Sequence, residues 1–325
     1  MKLLVTGGAG YIGSVVGTLL LEHGHEVVVL DDLSVGYADA VPAGATFVQG
    51  RVHDVIADVL TPEAGFDGVL HLAAFIAAGE SVHRPELYWE NNVIGTLRLL
   101  DAVRAAGVPR LIFSSTGTVY GDAQELPLPE STPTAPLNPY AASKLAADYA
   151  LAGEATAHKL GAVSLRYFNA AGALIRPGTA SRGERHDPET HLIPIALQVA
   201  GGVRPKLQLF GDDYPTPDGT CVRDYIHVAD LASAHLLALD AIRPGEHRIY
   251  NLGNGTGFSN REVADTVGEV TGRPLPVELA PRRAGDIAAQ VASSAKAREE
   301  LGWVPARPAL AEIISDAWEF FRATA

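Results

Sequence analysis

Seven residues near the start of the chain limit its fold more than any others: Gly7-Gly8-Ala9-Gly10-Tyr11-Ile12-Gly13. They follow the short apolar run Lys2 to Thr6 and lead into a helical pattern from Ile12 to His23. Glycines at a strand-to-helix junction allow a tight turn and a close approach of backbone to backbone. Such a string also serves ordinary turns, so its surroundings decide its meaning. Further short β-branched runs lie at Glu26 to Asp31, Thr46 to Gln49, Gly68 to Leu72, Arg110 to Ser115 and Ala162 to Tyr167. Several are apolar on both faces, as buried parallel strands are. Longer helical patterns fill the gaps, most clearly at Glu86 to Ala106 and Pro139 to His158.

Strands alternating with helices predict an α/β fold, a Rossmann-type doubly wound parallel sheet. After Phe168 the regularity fades into the Gly-, Pro-, Arg- and Asp-rich stretch Gly172 to Glu189, which reads as loop. Helices are expected at His191 to Ala200, Val228 to Ala241, Asn260 to Val270 and Leu310 to Phe321. The 325 residues therefore divide into a nucleotide-binding domain, 1–168, and a smaller C-terminal α/β substrate-binding domain, 169–325, with the chain crossing between them more than once.

Hydrophobic residues at 47% and charged residues at 19% exclude a disordered chain. The formal charge of −13 repels phosphate backbones and anionic bilayers, which argues against nucleic acid and membrane surfaces as partners. The single cysteine, Cys221, allows no intrachain disulfide. No apolar stretch approaches the ~20 residues that span a bilayer, and the start lacks the pattern of a secretory signal. A soluble, cytoplasmic protein is expected. No metal-ligand cluster is visible, because the histidines are scattered, and His227 reads as a packed residue.

The second strand ends in Asp31-Asp32, and Asp31 lies 18 positions beyond Gly13, near the ~20 typical of a ribose-binding carboxylate. Such a carboxylate accepts ribose hydroxyls and repels a 2′-phosphate, favouring NAD over NADP; alone, the two aspartates would equally suit a solvated loop. Asn138-Pro139-Tyr140-Ala141-Ala142-Ser143-Lys144 has the form of a helix start, with Asn138 as cap and Pro139 at the first position. Tyr140 and Lys144 are then i, i+4 neighbours on one face. There an ammonium, together with a positive nicotinamide ring, would favour phenolate, and the phenolate would take a proton from an alcohol. The bland alternative is a packed tyrosine with a snorkelling lysine. The strand Arg110 to Ser115 delivers Ser114-Ser115-Thr116 at its carboxyl end, where open α/β sheets bind ligands.

At these residues the chain resembles the extended short-chain dehydrogenase/reductase superfamily and, within it, the UDP-hexose 4-epimerases. The likeness extends through Tyr88 to Leu97 (YWENNVIGTL), Leu165 to Gly172 (LRYFNAAG), Phe210 to Val228 (FGDDYPTPDGTCVRDYIHV), Tyr250 to Gly253 (YNLG) and Pro281 to Asp286 (PRRAGD). The resemblance implies that tightly bound NAD oxidises the sugar at C4 and reduces the 4-keto sugar from its opposite face, so that UDP-galactose and UDP-glucose interconvert. It implies Tyr140 as base, Lys144 as the group that lowers the phenol's pKa, and Thr116 as hydrogen-bond partner. Cofactor contacts are implied at Gly7, Gly10, Tyr11, Ile12, Gly13, Asp31, Asp32, Leu33, Ser34, Gly36, Arg51, Val52, Leu72, Ala73, Ala74, Asn92, Ser114, Tyr140, Lys144 and Phe168. UDP-sugar contacts are implied at Thr116, Tyr140, Asn169, His191, Leu192, Gln208, Phe210, Arg223, Arg283 and Asp286. Guanidinium forks suit a diphosphate; surface ion pairs of Arg223 with Asp224 and Arg283 with Asp286 are the alternative.

The chain departs from the family pattern at several positions. Thr116 replaces serine and keeps the hydroxyl. Arg51 stands where many members have an acidic residue near the adenine, Ile76 where many have a lysine, and His191 where asparagine is common. Gln290 occupies a position associated with tolerance for N-acetyl sugars. Three rival readings remain: another NAD-dependent nucleotide-sugar epimerase, acting on UDP-N-acetylhexosamines or UDP-pentoses; a dehydratase, which would need a carboxylic acid where this chain has Gly117 and Thr118; and a non-catalytic NAD-sensing regulator. The helices Glu86 to Ala106 and Pro139 to His158 resemble those that pair subunits in the superfamily, implying a homodimer.

Overall fold

The computed structural model describes residues 1–283 and 285–324. Seven strands form one parallel sheet in the spatial order His247–Leu252, Gly161–Tyr167, Arg110–Thr116, Gly68–His71, Lys2–Thr6, Glu26–Asp31, Thr46–Gln49. Both faces are covered, which is why the central strands are buried along their whole length. On one face Val15, Val16 and Leu20 of helix Tyr11–Glu22 pack with Leu231, Ala232 and Leu239 of helix Val228–Ala241. On the other, Ile56, Leu99, Val103 and Leu151 come from helices Val52–Val59, Gly95–Ala106 and Pro139–His158. Burying each such side chain contributes roughly 1.5–3 kcal/mol.

The first three strands run outward from the sheet centre, and the fourth returns to pair with the first on its other side. The order in which strands are added therefore reverses between the parallel neighbours Lys2–Thr6 and Gly68–His71, opening a crevice at their carboxyl ends, the place where open α/β sheets bind ligands. A second core joins helices Leu192–Ala200, Asn260–Thr271 and Leu310–Thr324 beside this edge. Its links to the main sheet are the short parallel pairing of Asn169–Ala171 with Val222–His227 and the bond from the Tyr11 hydroxyl to the Gly172 carbonyl, 2.7 Å.

Three expectations change. The strand His247–Leu252 joins the main sheet although its pattern does not read as a strand: His247, Arg248 and Asn251 interrupt its apolar run, and Asn251 is buried because it accepts from the Tyr120 hydroxyl (2.7 Å) and donates to Leu128 O (2.9 Å). The stretch Gly172 to Glu189 is not all loop, since Ala173–Leu174 pairs with Arg182–Gly183 as a two-stranded ladder. The helix expected from Glu86 to Ala106 is three pieces, Pro85–Tyr88, a π-turn Trp89–Ile94 and Gly95–Ala106. The wider turn contains Asn92, whose side chain is buried against the Phe75 backbone.

Candidate active site

The glycine turn forms because nothing larger fits. Gly7 adopts φ +72°, and a Cβ there would lie 2.6 Å from Ala73 N; a Cβ on Gly13 would lie 2.1 Å from the Gly7 carbonyl oxygen. The turn thereby brings the start of helix Tyr11–Glu22 against the loop after the fourth strand. No side chain caps that helix and no acidic residue occupies its first turn, so its amides and dipole are available to an anion. Asp31 is buried at the end of the second strand, and its two oxygens accept from Ala9 N and Leu33 N, both at 2.9 Å. Burial pushes this carboxyl up and the two amides oppose the rise. A Cβ on Gly36 would touch Ala9 at 2.9 Å and Asp31 Oδ1 at 3.0 Å, so Gly36 closes the rim beside Leu33 and Ser34. Asp32 accepts from Ser34 N at 2.9 Å and faces Arg51 Nε at 3.7 Å, just before Val52 begins its helix. These are the residues a dinucleotide needs: an uncapped helix start, a close-packed turn and a carboxylate at the second strand's end.

Across the crevice, helix Pro139–His158 begins as its sequence requires, with Asn138 Oδ1 accepting from Ala141 N at 2.9 Å. It presents Tyr140 and Lys144 to the carboxyl end of strand Arg110–Thr116. Lys144 is 2% exposed, donates to Ser114 O at 2.7 Å and lies 4.9 Å from the Phe113 ring centre. Burial pulls its ammonium down to about 7, partly opposed by Asp148. Tyr140 rests edge-on against Tyr88, ring centres 6.4 Å apart. Burial raises the Tyr140 phenol above its ordinary value, and only the Thr116 side chain works against this. In the protein alone the Lys144 ammonium is held by a carbonyl and is itself weakened, so the expected preference for phenolate rests on its joint action with a nicotinamide ring. Thr116 caps the turn Gly117–Tyr120 and shares a 2.9 Å hydrogen bond with Thr118 Oγ1.

Several expected contacts are committed to structure. Asn92 accepts from Phe75 N (2.9 Å) and donates to Phe75 O (3.0 Å) and Ser143 Oγ (3.1 Å), so it fastens the loop that follows Leu72, Ala73 and Ala74. Sequence reasoning missed its neighbour His71, buried between Thr6 Oγ1 (2.7 Å) and Thr96 Oγ1 (3.0 Å) and pushed by burial down to about 3, hence neutral. A polar residue ending a buried strand was the available signal. Phe168 packs over Gly117, where a Cβ would lie 2.7 Å from the ring.

On the far wall, Asn169 donates to Asp224 O at 3.1 Å. Arg223 does not pair with Asp224: it donates to Val222 O at 2.9 Å, while the Asp224 carboxylate accepts from Asn254, Gly255 and Ala292 amides. Burial raises that carboxyl to about 6. Arg283 does pair with Asp286, 3.0 Å, and stands 4.8 Å from the Phe210 ring. Gln208 shares an outward face with Phe210 and donates to Glu278 at 2.9 Å. His191 precedes helix Leu192–Ala200 and is bonded to Glu184, so its ring is not simply directed at a ligand. Gln290 donates to Gly117 O at 3.1 Å.

A model of the NAD dependent epimerase/dehydratase family matches residues 3–253. The chain belongs to that family. Within it, the chain is similar to the UDP-glucose 4-epimerase of Streptomyces lividans, 60% identical over 324 residues that make up 98% of this chain and 95% of the relative. It is 55% identical over 320 residues to the UDP-glucose 4-epimerase of Corynebacterium glutamicum, covering 98% and 95%. Among solved structures it superposes on the UDP-glucose 4-epimerase of Stenotrophomonas maltophila with bound NAD and formylated UDP-arabinopyranose, with TM-score 0.94, 40% identity and coverage of 100% and 98%. The stretch matched by the family model includes the glycine turn, Thr116, Tyr140, Lys144 and Arg223.

Proposed function

We propose that the chain is a UDP-glucose 4-epimerase that interconverts UDP-galactose and UDP-glucose. The observation that carries this reading is the convergence of Tyr140, Lys144 and Thr116 on one strand end, facing the glycine turn. When bound, NAD supplies the hydride acceptor at C4 and its positive ring. Asp31 holds the adenosine ribose through acceptor capacity left on its two oxygens, and the uncapped helix start receives the pyrophosphate. Tyr140 takes the C4 hydroxyl proton and returns it after the 4-keto sugar has turned over, while Thr116 holds the reacting oxygen. Lys144 keeps two further N–H donors beyond the one on Ser114 O and orients the neighbouring ribose. Arg223 and Arg283 hold the UDP diphosphate bidentately, with Asn169, Leu192, Gln208, Phe210, His191 and Asp286 around it. A dehydratase needs an acid beside Thr116, and Gly117 and Thr118 supply none.

The chain is read as a cytoplasmic homodimer. Exposed Trp89, Ile94, Leu97 and Tyr149 lie on the two helical segments expected to pair. Among the described residues no helix is long and apolar enough to cross a membrane. Proton NMR of UDP-galactose with the purified protein and no added NAD tests the reaction. Growth of the UDP-glucose anomeric signal supports it; a spectrum unchanged even after NAD is added overturns it and favours first another nucleotide sugar as substrate, then the NAD-sensing reading.

A further inference from the structure

Two of the eleven histidines, which look scattered along the sequence, come together in space. Between the strand Arg182–Gly183 and the helix Leu192–Ala200, four side chains of one short stretch turn toward a common point: Glu184, His186, Glu189 and His191. One ligand atom from each lies within 4.8 Å of all the others. His186 Nδ1 is 3.0 Å from Glu184 Oε1 and 3.9 Å from Glu189 Oε1, and His191 Nδ1 is bonded to the same Glu184 oxygen. We propose that these four residues form a binding site for one divalent transition-metal ion, with Zn²⁺ the best match.

The donor set is the first argument. Two imidazoles and two carboxylates are ligands of borderline character, which suit zinc, and zinc takes four of them at about 2.0–2.2 Å in a tetrahedron. Such a tetrahedron sets its ligand atoms roughly 3.3 Å apart, between the 3.0 and 3.9 Å from His186 to Glu184 and Glu189, while the closer His191–Glu184 pair would open to admit the ion. Orientation is the second. Glu184 and Glu189 are 5% and 2% exposed, so neither carboxylate is a mobile surface group. Glu189 Oε1 also accepts from Thr190 N (2.7 Å) and His191 N (2.9 Å), which fixes its direction toward the cluster and provides the outer support that ligating carboxylates need. His186 and His191, 19% and 48% exposed, leave an approach from solvent.

The third argument is placement. His186 lines the same cleft as Ala9, Gly10 and Tyr11. The stretch around it is tied to the outer part of the nucleotide-binding half by Arg176 on Glu22 (2.9 Å), by Arg185 on Asp39, and by Arg185 over the Tyr37 ring (4.1 Å). A metal at the four side chains would clasp this strap over the glycine turn. Its role is structural; it shares His191 with the expected UDP-sugar contacts but uses neither Tyr140, Lys144 nor Thr116, and zinc content tests it independently of turnover.

The test uses the untagged full chain, stripped with a chelator and dialysed against limiting Zn²⁺, with zinc per chain measured by mass spectrometry. One zinc per chain is expected, falling at least tenfold in His186→Ala and in His191→Ala and unchanged in His158→Ala, an exposed histidine at the end of helix Pro139–His158. Substoichiometric zinc in the parent chain, or equal retention in all three variants, overturns the proposal and leaves an imidazole–carboxylate ion-pair cluster. Should a variant fail to fold, Co²⁺ added to the parent chain decides: visible ligand-field bands of tetrahedral intensity support the site, and their absence at one equivalent overturns it.

Discussion

Gly13→Ala tests the nucleotide turn at its most crowded point. The added Cβ would lie 2.1 Å from the Gly7 carbonyl oxygen and 2.8 Å from Gly7 C and Gly8 Cα, all of them backbone atoms that no rotamer change can move. Reaching the 3.0 Å below which real Cβ contacts are essentially never seen requires the helix start and the turn to separate by about 0.9 Å. Overpacking of this kind costs about 1–3 kcal/mol of stability. The larger consequence is positional, because the amides of Ile12 and Gly13 retreat from the pyrophosphate by the same distance. A displacement near 1 Å in a positioning element costs on the order of 10²-fold, so NAD affinity is expected to fall about a hundredfold. Calorimetric titration of NAD into stripped protein, with denaturant unfolding of the apo form, measures both effects. Gly268→Ala is the control: it lies inside helix Asn260–Thr271, its new methyl would meet only Arg273 O at 3.6 Å, and it should stabilise by about 0.5–1 kcal/mol without changing NAD binding. An NAD affinity within threefold of the parent in Gly13→Ala, at unchanged stability, would refute the reasoning.

Tyr140→Phe should lower kcat by about 10²–10⁴-fold with UDP binding unchanged, since the phenol acts on the reacting proton and not on the diphosphate; a parental rate removes Tyr140 as the base. Lys144→Ala should slow turnover and regain part of it at high pH, where the raised Tyr140 phenol ionises without help; a flat pH profile would leave Lys144 with ribose positioning alone. Asp224 gives a stability prediction whose sign follows from its raised folded value. The protonated carboxyl is favoured in the native state, so its contribution is fully present below about 3.8 and is lost as pH rises through about 6. That loss amounts to at most about 3 kcal/mol. Denaturant midpoints at pH 4.5 and pH 7.5 for the parent and for Asp224→Asn measure it; equal pH slopes in the two proteins would show that Asp224 is not the titrating group.

The first six strands were legible because a parallel sheet covered on both faces needs apolar runs, and Lys2–Thr6 and Glu26–Asp31 have them unbroken in their centres. The helix Pro139–His158 was legible from Asn138 and Pro139, two residues with opposite but compatible preferences at a helix start. What escaped was set by distant contacts. Asn251 is polar inside a buried strand because Tyr120 and Leu128, more than 120 positions away, complete its hydrogen bonds. The π-turn at Trp89–Ile94 follows from Asn92 reaching Phe75 and Ser143, and no local periodicity encodes that reach. The Glu184, His186, Glu189 and His191 cluster escaped for a different reason: its spacing matches no helical or strand repeat, and only an irregular strap brings those side chains to one point.

The crevice shows a division of labour that the residue types alone do not reveal. Asn92, His71, Tyr11 and Asp224 are polar, buried and near the ligand positions, yet their groups are taken by Phe75, Thr6 and Thr96, Gly172, and three loop amides respectively. Asn92, Tyr11 and Asp224 thereby satisfy loop backbone groups inside the protein, and His71 two buried hydroxyls, each unmade bond costing about 1–3 kcal/mol. The groups with capacity left over are different ones: the first-turn amides of helix Tyr11–Glu22, the second lone pairs on Asp31, two N–H donors of Lys144 and most of the Arg223 fork. The amides, Lys144 and Arg223 supply positive potential along the crevice in a chain whose formal charge is −13, while the Asp31 oxygens remain acceptors at its ribose end. A doubly anionic diphosphate is therefore drawn to the crevice while the remainder of the surface repels it. The burial that weakens the Lys144 ammonium and the Tyr140 phenol has the same origin, because a site dry enough to strengthen these electrostatic contacts is also dry enough to disfavour charge on its own catalytic groups. Full ionisation of the phenol then requires a positive charge brought in with the ligand, which confines the strong base to the loaded state.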